Sequence, residues 1–344
     1  MNILKRSFLG LCVLTAAGLD GAHAADVTLR FHQFLPPQAN VPALAIKPWA
    51  EKVEKESGGR IKVQLFPSMQ LGGKPPELFD QVKDGVVDLT WTVLGYTPGR
   101  FPKAEVFELP FSTGKAEPGS RAFQAYVEKY AMDEFKDVKL IAVHIHGPGL
   151  IHSLQPVVKL EDMRGLKIRG GSRIVNIMLE QLGATPVGMP VTQVGEALSK
   201  GVISATTVPW EVVPSIKIEQ IAKNTTAFSG DKGLYTQTFA VAMNKAAYDK
   251  LPAELKKVID ANSGMAAASL FGAAMDAGDK SGLAVAEKAG NKIVTLDAAE
   301  TQRWQRAAAG VRAVWYKEVS AKGIDGPALA AAAGELIAKA YAGK

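Results

Sequence analysis

Cysteine is nearly missing from this chain of 344 residues: the one present, Cys12, falls within the first 24 positions. Beyond them no thiol is available for disulfides, nucleophilic chemistry or sulfur-ligated metals, so stability has to come from packed cores. Long apolar runs are scarce as well. The stretch from Phe8 to Leu19 is about a dozen residues, short of the ~20 that cross a bilayer. No run of five or more like charges occurs, and the formal net charge of +6 is spread thinly. A nucleic-acid binder would need a clustered basic stripe with interleaved aromatics; a mildly basic surface suits small anions or an anionic membrane face. Hydrolytic and phosphate-loop motifs are also absent: there is no GxSxG elbow and no HExxH, and "FSTGK" lacks the upstream glycine of a phosphate loop. No enzyme class, cofactor or metal is therefore expected.

What is present is an ordinary globular composition, 47% hydrophobic and 22% charged, in a chain long enough for two cores. The opening "MNILKRSFLGLCVLTAAGLDGAHA" has basic Lys5 and Arg6, then an apolar stretch, then Ala22-His23-Ala24. That order predicts a cleavable secretory signal over residues 1–24 and a mature chain beginning at Ala25. Leu11 stands where a lipid-anchored cysteine would want a small residue, so no lipid anchor is expected.

Strand and helix patterns then alternate. "DVTLRFHQFLPP", "IKVQLFP" and "VVDLTWTVLG" read as strands, and "ALAIKPWAEKVEKESGGR" and "PPELFDQVKDG" as helices between them. After a looser patch around Ser112 to Gly119 come strands "VKLIAVHIHG" and "LKIRGG", helix "RIVNIMLEQLG", short strand "ATPVGMP" and helix "VTQVGEALSKG". Strand "TQTFAVAMN" precedes a long helical run from Pro252 to Gly290, and strand "NKIVTLD" leads into two Ala-rich helices. The rhythm predicts α/β architecture with parallel sheets, and a helical run of that length can cross from one domain to another.

In such sheets ligands sit outside the carboxyl ends of the strands. Arg169 falls at one of these ends, followed by Gly170 and Gly171 and then a helix start. Its guanidinium would offer a carboxylate two parallel hydrogen bonds, although position alone fits a surface arginine equally well. His144 and His146 share a strand face and His152 is close in sequence, but a metal site needs three or four placed ligands; only His146 is read as lining a pocket. Phe34, Trp91, Tyr96 and Trp210 stand near strand ends and are candidates for the wall of a cleft.

Taken together, "WAEKVEKESGGRIKVQLFPSMQLGG", "QVKDGVVDL", "FELPF", "EDMRGLKIR", "LGATPVGMPVTQVGEALSKGVI" and "MNKAAYDKLP" resemble the DctP-type solute-binding subunits of tripartite ATP-independent periplasmic (TRAP) transporters, in the family's order across nearly the whole chain. The resemblance implies a two-lobed α/β solute-binding fold with a ligand cleft between the lobes and a long interdomain helix. Lobe I would be residues 25–148 plus 234–274, and lobe II 149–233 plus 275–344. It also implies a soluble, monomeric periplasmic protein, not an enzyme, that hands ligand to small and large membrane subunits of the DctQ and DctM type. Arg169 corresponds to the family's carboxylate anchor.

Departures from the family pattern bear on the ligand. "ISATTVP" puts Ser204, Ala205 and Thr207 where the family carries glycine and a glutamate-containing turn, and Val208 where sugar-acid binders have a polar residue. Phe34, Val93, Tyr96 and Gly149 stand where sialic-acid binders carry polar contacts. A sugar acid would leave hydroxyls buried without partners at ~1–3 kcal/mol each. The expected ligand is an aromatic or apolar monocarboxylate contacted by Arg169, Phe34, Trp91, Val93, Tyr96, His146, Gly149, Thr207, Val208 and Trp210. Alternatives are a sugar acid, a C4-dicarboxylate, or a sensor passing its ligand to a receptor.

Overall fold

The structure, a computed structural model, describes residues 25–343. The expected signal segment 1–24, with Cys12, lies outside the described residues.

Two sheets organise the chain. In the first, β1 (Val27–His32), β2 (Ile61–Phe66), β3 (Leu89–Val93), β4 (Val138–Ile145) and β10 (Thr238–Asn244) are ordered β2-β1-β3-β10-β4. In the second, β5 (Leu150–Ser153), β6 (Lys167–Gly170), β7 (Thr185–Gly188), β8 (Ala205–Val208), β9 (Asn224–Phe228) and β11 (Lys292–Leu296) are ordered β11-β9-β5-β8-β6-β7. Alternation sets the strand faces: Leu29 and Phe31 of β1, and Ile61 and Val63 of β2, turn inward. Between them α1 (Lys47–Glu56) buries Trp49, Ala50 and Val53 on one face, and the chain turns at Gly58 and Gly59, whose φ angles of 64° and 80° suit only glycine without strain.

The sheets are mixed rather than purely parallel. β10 runs antiparallel to β3 and β4, and β5 antiparallel to β8 and β9. The cause lies in where these strands begin. β1, β3 and β4 run toward the junction between the sheets, whereas β5 and β10 start there, after the chain has crossed, and so point away from it.

Helices cover both sheets: α2 (Leu78–Lys83), α3 (Ala116–Tyr130), α4 (Arg173–Gln181), α5 (Val194–Ser199), α6 (Ile218–Ile221) and α7 (Lys245–Asp249). The long run expected from Pro252 onward is two helices, α8 (Ala253–Ala261) and α9 (Met265–Lys288). Gly264, at φ 65°, turns the chain between them and donates its N–H to the Ile141 carbonyl at 2.7 Å. α9 packs on α3 and β4, then on the turn following β8. Three helices close the chain where two were expected: α10 (Ala298–Ala308), α11 (Gly310–Ser320) and α12 (Gly326–Tyr341). α10 and α11 lie against α4, and α12 returns to α3. The sequence pattern does not predict α3, α6, α7, β5, β8 or β9. No helix among the described residues is long and apolar enough to cross a membrane.

Candidate ligand site between the two sheets

The carboxyl ends of β1, β3 and β4 face those of β6 and β8, and the space between them is a tight cavity of ≈ 30 Å³. From the first sheet it is lined by Phe34, Trp91, Val93, Tyr96, His146 and Phe239, and from the second by Arg169, Val191, Val208 and Glu211, among others. The aromatic wall is ordered by stacking. Phe34 lies on Trp91 with ring centroids 4.7 Å apart and planes 11° off parallel, Trp91 on Phe239 at 5.5 Å, and Tyr96 meets Phe34 edge-on at 6.0 Å.

Arg169 is 1% exposed. Its Nε donates to the Met189 carbonyl at 2.9 Å and its Nη1 to the Thr207 carbonyl at 3.1 Å, while Nη2 is buried without a partner among the described residues. The cation is thus aimed by two backbone carbonyls with one prong left over, and no ion pair with a described residue neutralises it. Taking a cation out of water costs several kcal/mol unless an anion and good hydrogen bonds compensate. Beside it, Tyr96 Oη accepts the Val191 N–H at 2.9 Å; burial raises this phenol above its ordinary range, with the Arg169 charge opposing.

The glycines after Arg169 permit close packing. A Cβ on Gly170 would lie 2.0 Å from Asn176 Oδ1, and one on Gly171 2.2 Å from Gln237 Oε1. The helix that follows keeps its own cap: Ser172 Oγ accepts the Val175 N–H at 3.3 Å. Its first turn faces a neighbouring, more open pocket rather than the cavity beside Arg169. Arg173 also reaches across from this helix, with Nε donating to Glu105 Oε1 at 3.1 Å.

The three histidines have separate environments. His144 Nε2 accepts the Trp91 indole N–H at 2.8 Å, so this nitrogen serves the stack. His146 donates from Nδ1 to the Gly147 carbonyl at 2.6 Å and accepts the Gln237 N–H at Nε2, 3.0 Å away, which fixes its tautomer. Burial, and then the Arg169 charge, lower His146 to about 4, so it is neutral in the cavity wall. His152 belongs to the second sheet, beside Thr225.

Of the residues expected around the ligand, the cavity brings together Phe34, Trp91, Val93, Tyr96, His146, Arg169 and Val208. Three are placed elsewhere. Trp210 is half-buried and packs edge-on over His152 at 5.1 Å. Gly149 makes room for Tyr235, whose Cε1 would lie 2.3 Å from an added Cβ. Thr207 supports the anchor from behind: its carbonyl holds Nη1, and its Oγ1 donates to the Arg169 carbonyl at 3.1 Å. The cavity also exposes what the sequence reading passed over, chiefly Glu211, Gln237 and Phe239. Phe239, opposite Val93 on β10, was legible from strand register; the other two carried no local signal.

Two α/β sheets that meet at a buried, mostly apolar cavity holding one cation define a two-lobed solute-binding protein. The chain belongs to the bacterial extracellular solute-binding proteins of family 7, whose family model matches residues 32–318. It is similar to a marine metagenome TRAP solute binding protein specific for aromatic acid ligands, solved with metahydroxyphenylacetate: 49% identity, TM-score 0.89, covering 91% of this chain and 99% of that one. A TRAP solute binding protein from Rhodoferax ferrireducens, solved with copurified benzoate, is 47% identical with a TM-score of 0.90, over 91% and 98% of the two chains. One from Bordetella bronchiseptica, with bound mandelate, is 34% identical with a TM-score of 0.84, over 91% and 99%.

Proposed function

We propose that this chain is the periplasmic ligand-capturing subunit of a TRAP transporter and that it binds an aromatic monocarboxylate. In this reading the signal over residues 1–24 exports the chain. Lobe I (25–148 with 234–274) and lobe II (149–233 with 275–344, its last helix reaching back to α3) close on the ligand. The loaded form then passes it to the small and large membrane subunits without chemical change. The observation that carries the reading is Arg169: a buried guanidinium whose Nη2 has no partner among the described residues, in the lining of a cavity walled by Phe34, Trp91, Val93, Val208 and Phe239. A carboxylate completes the pairing of that cation, and an aromatic ring packs against the stacked wall as the lobes part to widen the ≈ 30 Å³ cavity.

Magnitudes favour the ring over a sugar. Burying ~150 Å² of aromatic surface contributes roughly 4 kcal/mol, whereas each sugar hydroxyl left unpaired against those side chains costs ~1–3 kcal/mol. The aromatic acids in the three similar structures agree with this choice. Closure requires no new conformation, only tighter binding to the closed state than to the open one.

The test is calorimetric titration and thermal unfolding of the purified chain with benzoate, mandelate, glucuronate and succinate. Saturable binding and a raised melting temperature are expected for the aromatic acids, with each acid recovered unchanged. In Arg169→Ala, benzoate affinity should fall by ~2–5 kcal/mol, or roughly 30-fold to several-thousandfold. Response to glucuronate or succinate alone would overturn the ligand class. Undiminished benzoate binding in Arg169→Ala would remove the anchor.

A further inference from the structure

Glu211 is a buried acid lining the same cavity as Arg169. It follows Pro209 in the turn after β8, is 6% exposed, and its Oε2 has no hydrogen-bond partner among the described residues. Its backbone N–H is bonded to Asp279 Oδ1 at 2.9 Å, which fixes the turn against α9. Burial, and then the Asp279 charge, push its carboxyl up to about 8. At neutral pH the group is mostly protonated and can both donate and accept a hydrogen bond. Gln237 lines the cavity from the other sheet at 5% exposure, and its Nε2 is also without a partner among the described residues.

A cavity walled by stacked aromatics and valines thus contains one cation and, apart from it, two neutral side chains with unsatisfied polar atoms. An unsubstituted aromatic acid satisfies only the cation. Resting on the aromatic-monocarboxylate reading, we infer that Glu211, with Gln237 lining the same cavity from the other sheet, hydrogen-bonds a hydroxyl group of the ligand, so that hydroxylated aromatic monocarboxylates are preferred over their unsubstituted parents. The physical basis is an asymmetry of recognition. A site with a buried polar group placed for a hydroxyl rejects the analogue lacking it, because the protein's own donor or acceptor is then left unpaired in a dry environment.

The test is titration calorimetry of matched pairs, benzoate against 3- and 4-hydroxybenzoate and phenylacetate against 3-hydroxyphenylacetate, on the unaltered chain, Glu211→Gln and Glu211→Leu. On the unaltered chain at least one hydroxylated acid should bind about tenfold or more tighter than its parent. Glu211→Leu should bring that ratio to within about twofold, by weakening the hydroxylated acid and tightening its parent, and Glu211→Gln should keep most of the preference. Should Glu211→Leu fail to fold, the ratios on the unaltered chain and Glu211→Gln decide. Equal affinities within every pair, or a preference that survives Glu211→Leu, overturn the inference and leave the Arg169 reading standing. Failure of the unaltered chain to bind any of these acids overturns both.

Discussion

With Nε and Nη1 held by the Met189 and Thr207 carbonyls, the Arg169 guanidinium is aimed before any ligand arrives, so less side-chain entropy is lost on binding. The two glycines beside it divide the work of making room. Asn176, which excludes a side chain from Gly170, sits on α4 of the same sheet layer, whereas Gln237, which excludes one from Gly171, comes from the other sheet. Neither glycine has a positive φ, so alanine meets only the contact, not the backbone. Gly171→Ala should therefore oppose closure: overpacking typically costs ~1–3 kcal/mol, which corresponds to benzoate affinity about 5- to 150-fold weaker. The melting temperature of the ligand-free chain should stay near that of the unaltered protein, while Gly170→Ala should lower it. Calorimetry and thermal scans on both variants separate the effects; equal losses of melting temperature would make the Gly171 contact purely structural.

Local pattern also explains which site residues were legible. Arg169 and Trp91 stand on alternating strands that end at turn residues, so period and position pointed to them. Glu211 carries no such mark: in sequence it is a charge two residues after a proline, and the contact that holds its turn, to Asp279, lies 68 residues away. Trp210, the neighbouring residue, has the aromatic ring that suits a cleft wall, but the turn packs it over His152 and leaves the acid in the cavity wall.

At the scale of elements, α3 shows why part of the fold could not be read. Its first turn is Ala116-Glu117-Pro118-Gly119, which reads as loop. Proline is tolerated there because first-turn N–H groups have no partner inside a helix. Gly119 is required by packing, since a Cβ would lie 2.3 Å from Ile145 Cδ1. The cap comes from α9: Asp276 accepts the N–H groups of Ala116 and Glu117 at 2.7 and 2.9 Å, from about 160 residues away. β5, β8 and β9 bury polar residues (His152, Ser153, Thr206, Thr207, Thr225 and Thr226), so they carry neither the apolar run nor the alternation that marks a strand; β6 and β7, no longer than β5, carry it. Losing a helix cap costs ~0.5–2 kcal/mol, and this one makes two bonds to a charged group. Asp276→Ala should therefore lower unfolding free energy by roughly 1–3 kcal/mol with an unchanged denaturant slope, measured by urea titration. A loss below about 0.5 kcal/mol would mean that α3 does not depend on this cap.

Across the whole molecule, buried titratable groups set a pH dependence whose sign can be worked out. Burial raises Glu108, Glu134 and Asp279 to about 7 and Glu211 to about 8, from ordinary values of 4.5 for glutamate and 3.8 for aspartate. The folded chain keeps these protons where the unfolded chain has released them, so their contribution to stability declines as pH rises from about 4 to about 8. Burial lowers His144 to about 3 and His146 and His152 to about 4, from 6.5. Their contribution is complete above 6.5 and is lost as pH falls toward 4. The two trends oppose one another between about pH 4.5 and 6.5; above 6.5 only the acids still act. Urea midpoints of the ligand-free chain should therefore be lower at pH 8 than at pH 6.5. Each proton difference contributes at most about 1.4 kcal/mol per pH unit, so the fall should be on the order of 1–4 kcal/mol. Glu211→Gln, which keeps the shape and cannot ionise, should reduce it. A midpoint that rises from pH 6.5 to 8 would mean that these acids are charged in the folded protein, and Glu211 would then face the cavity as an anion competing with the ligand for Arg169.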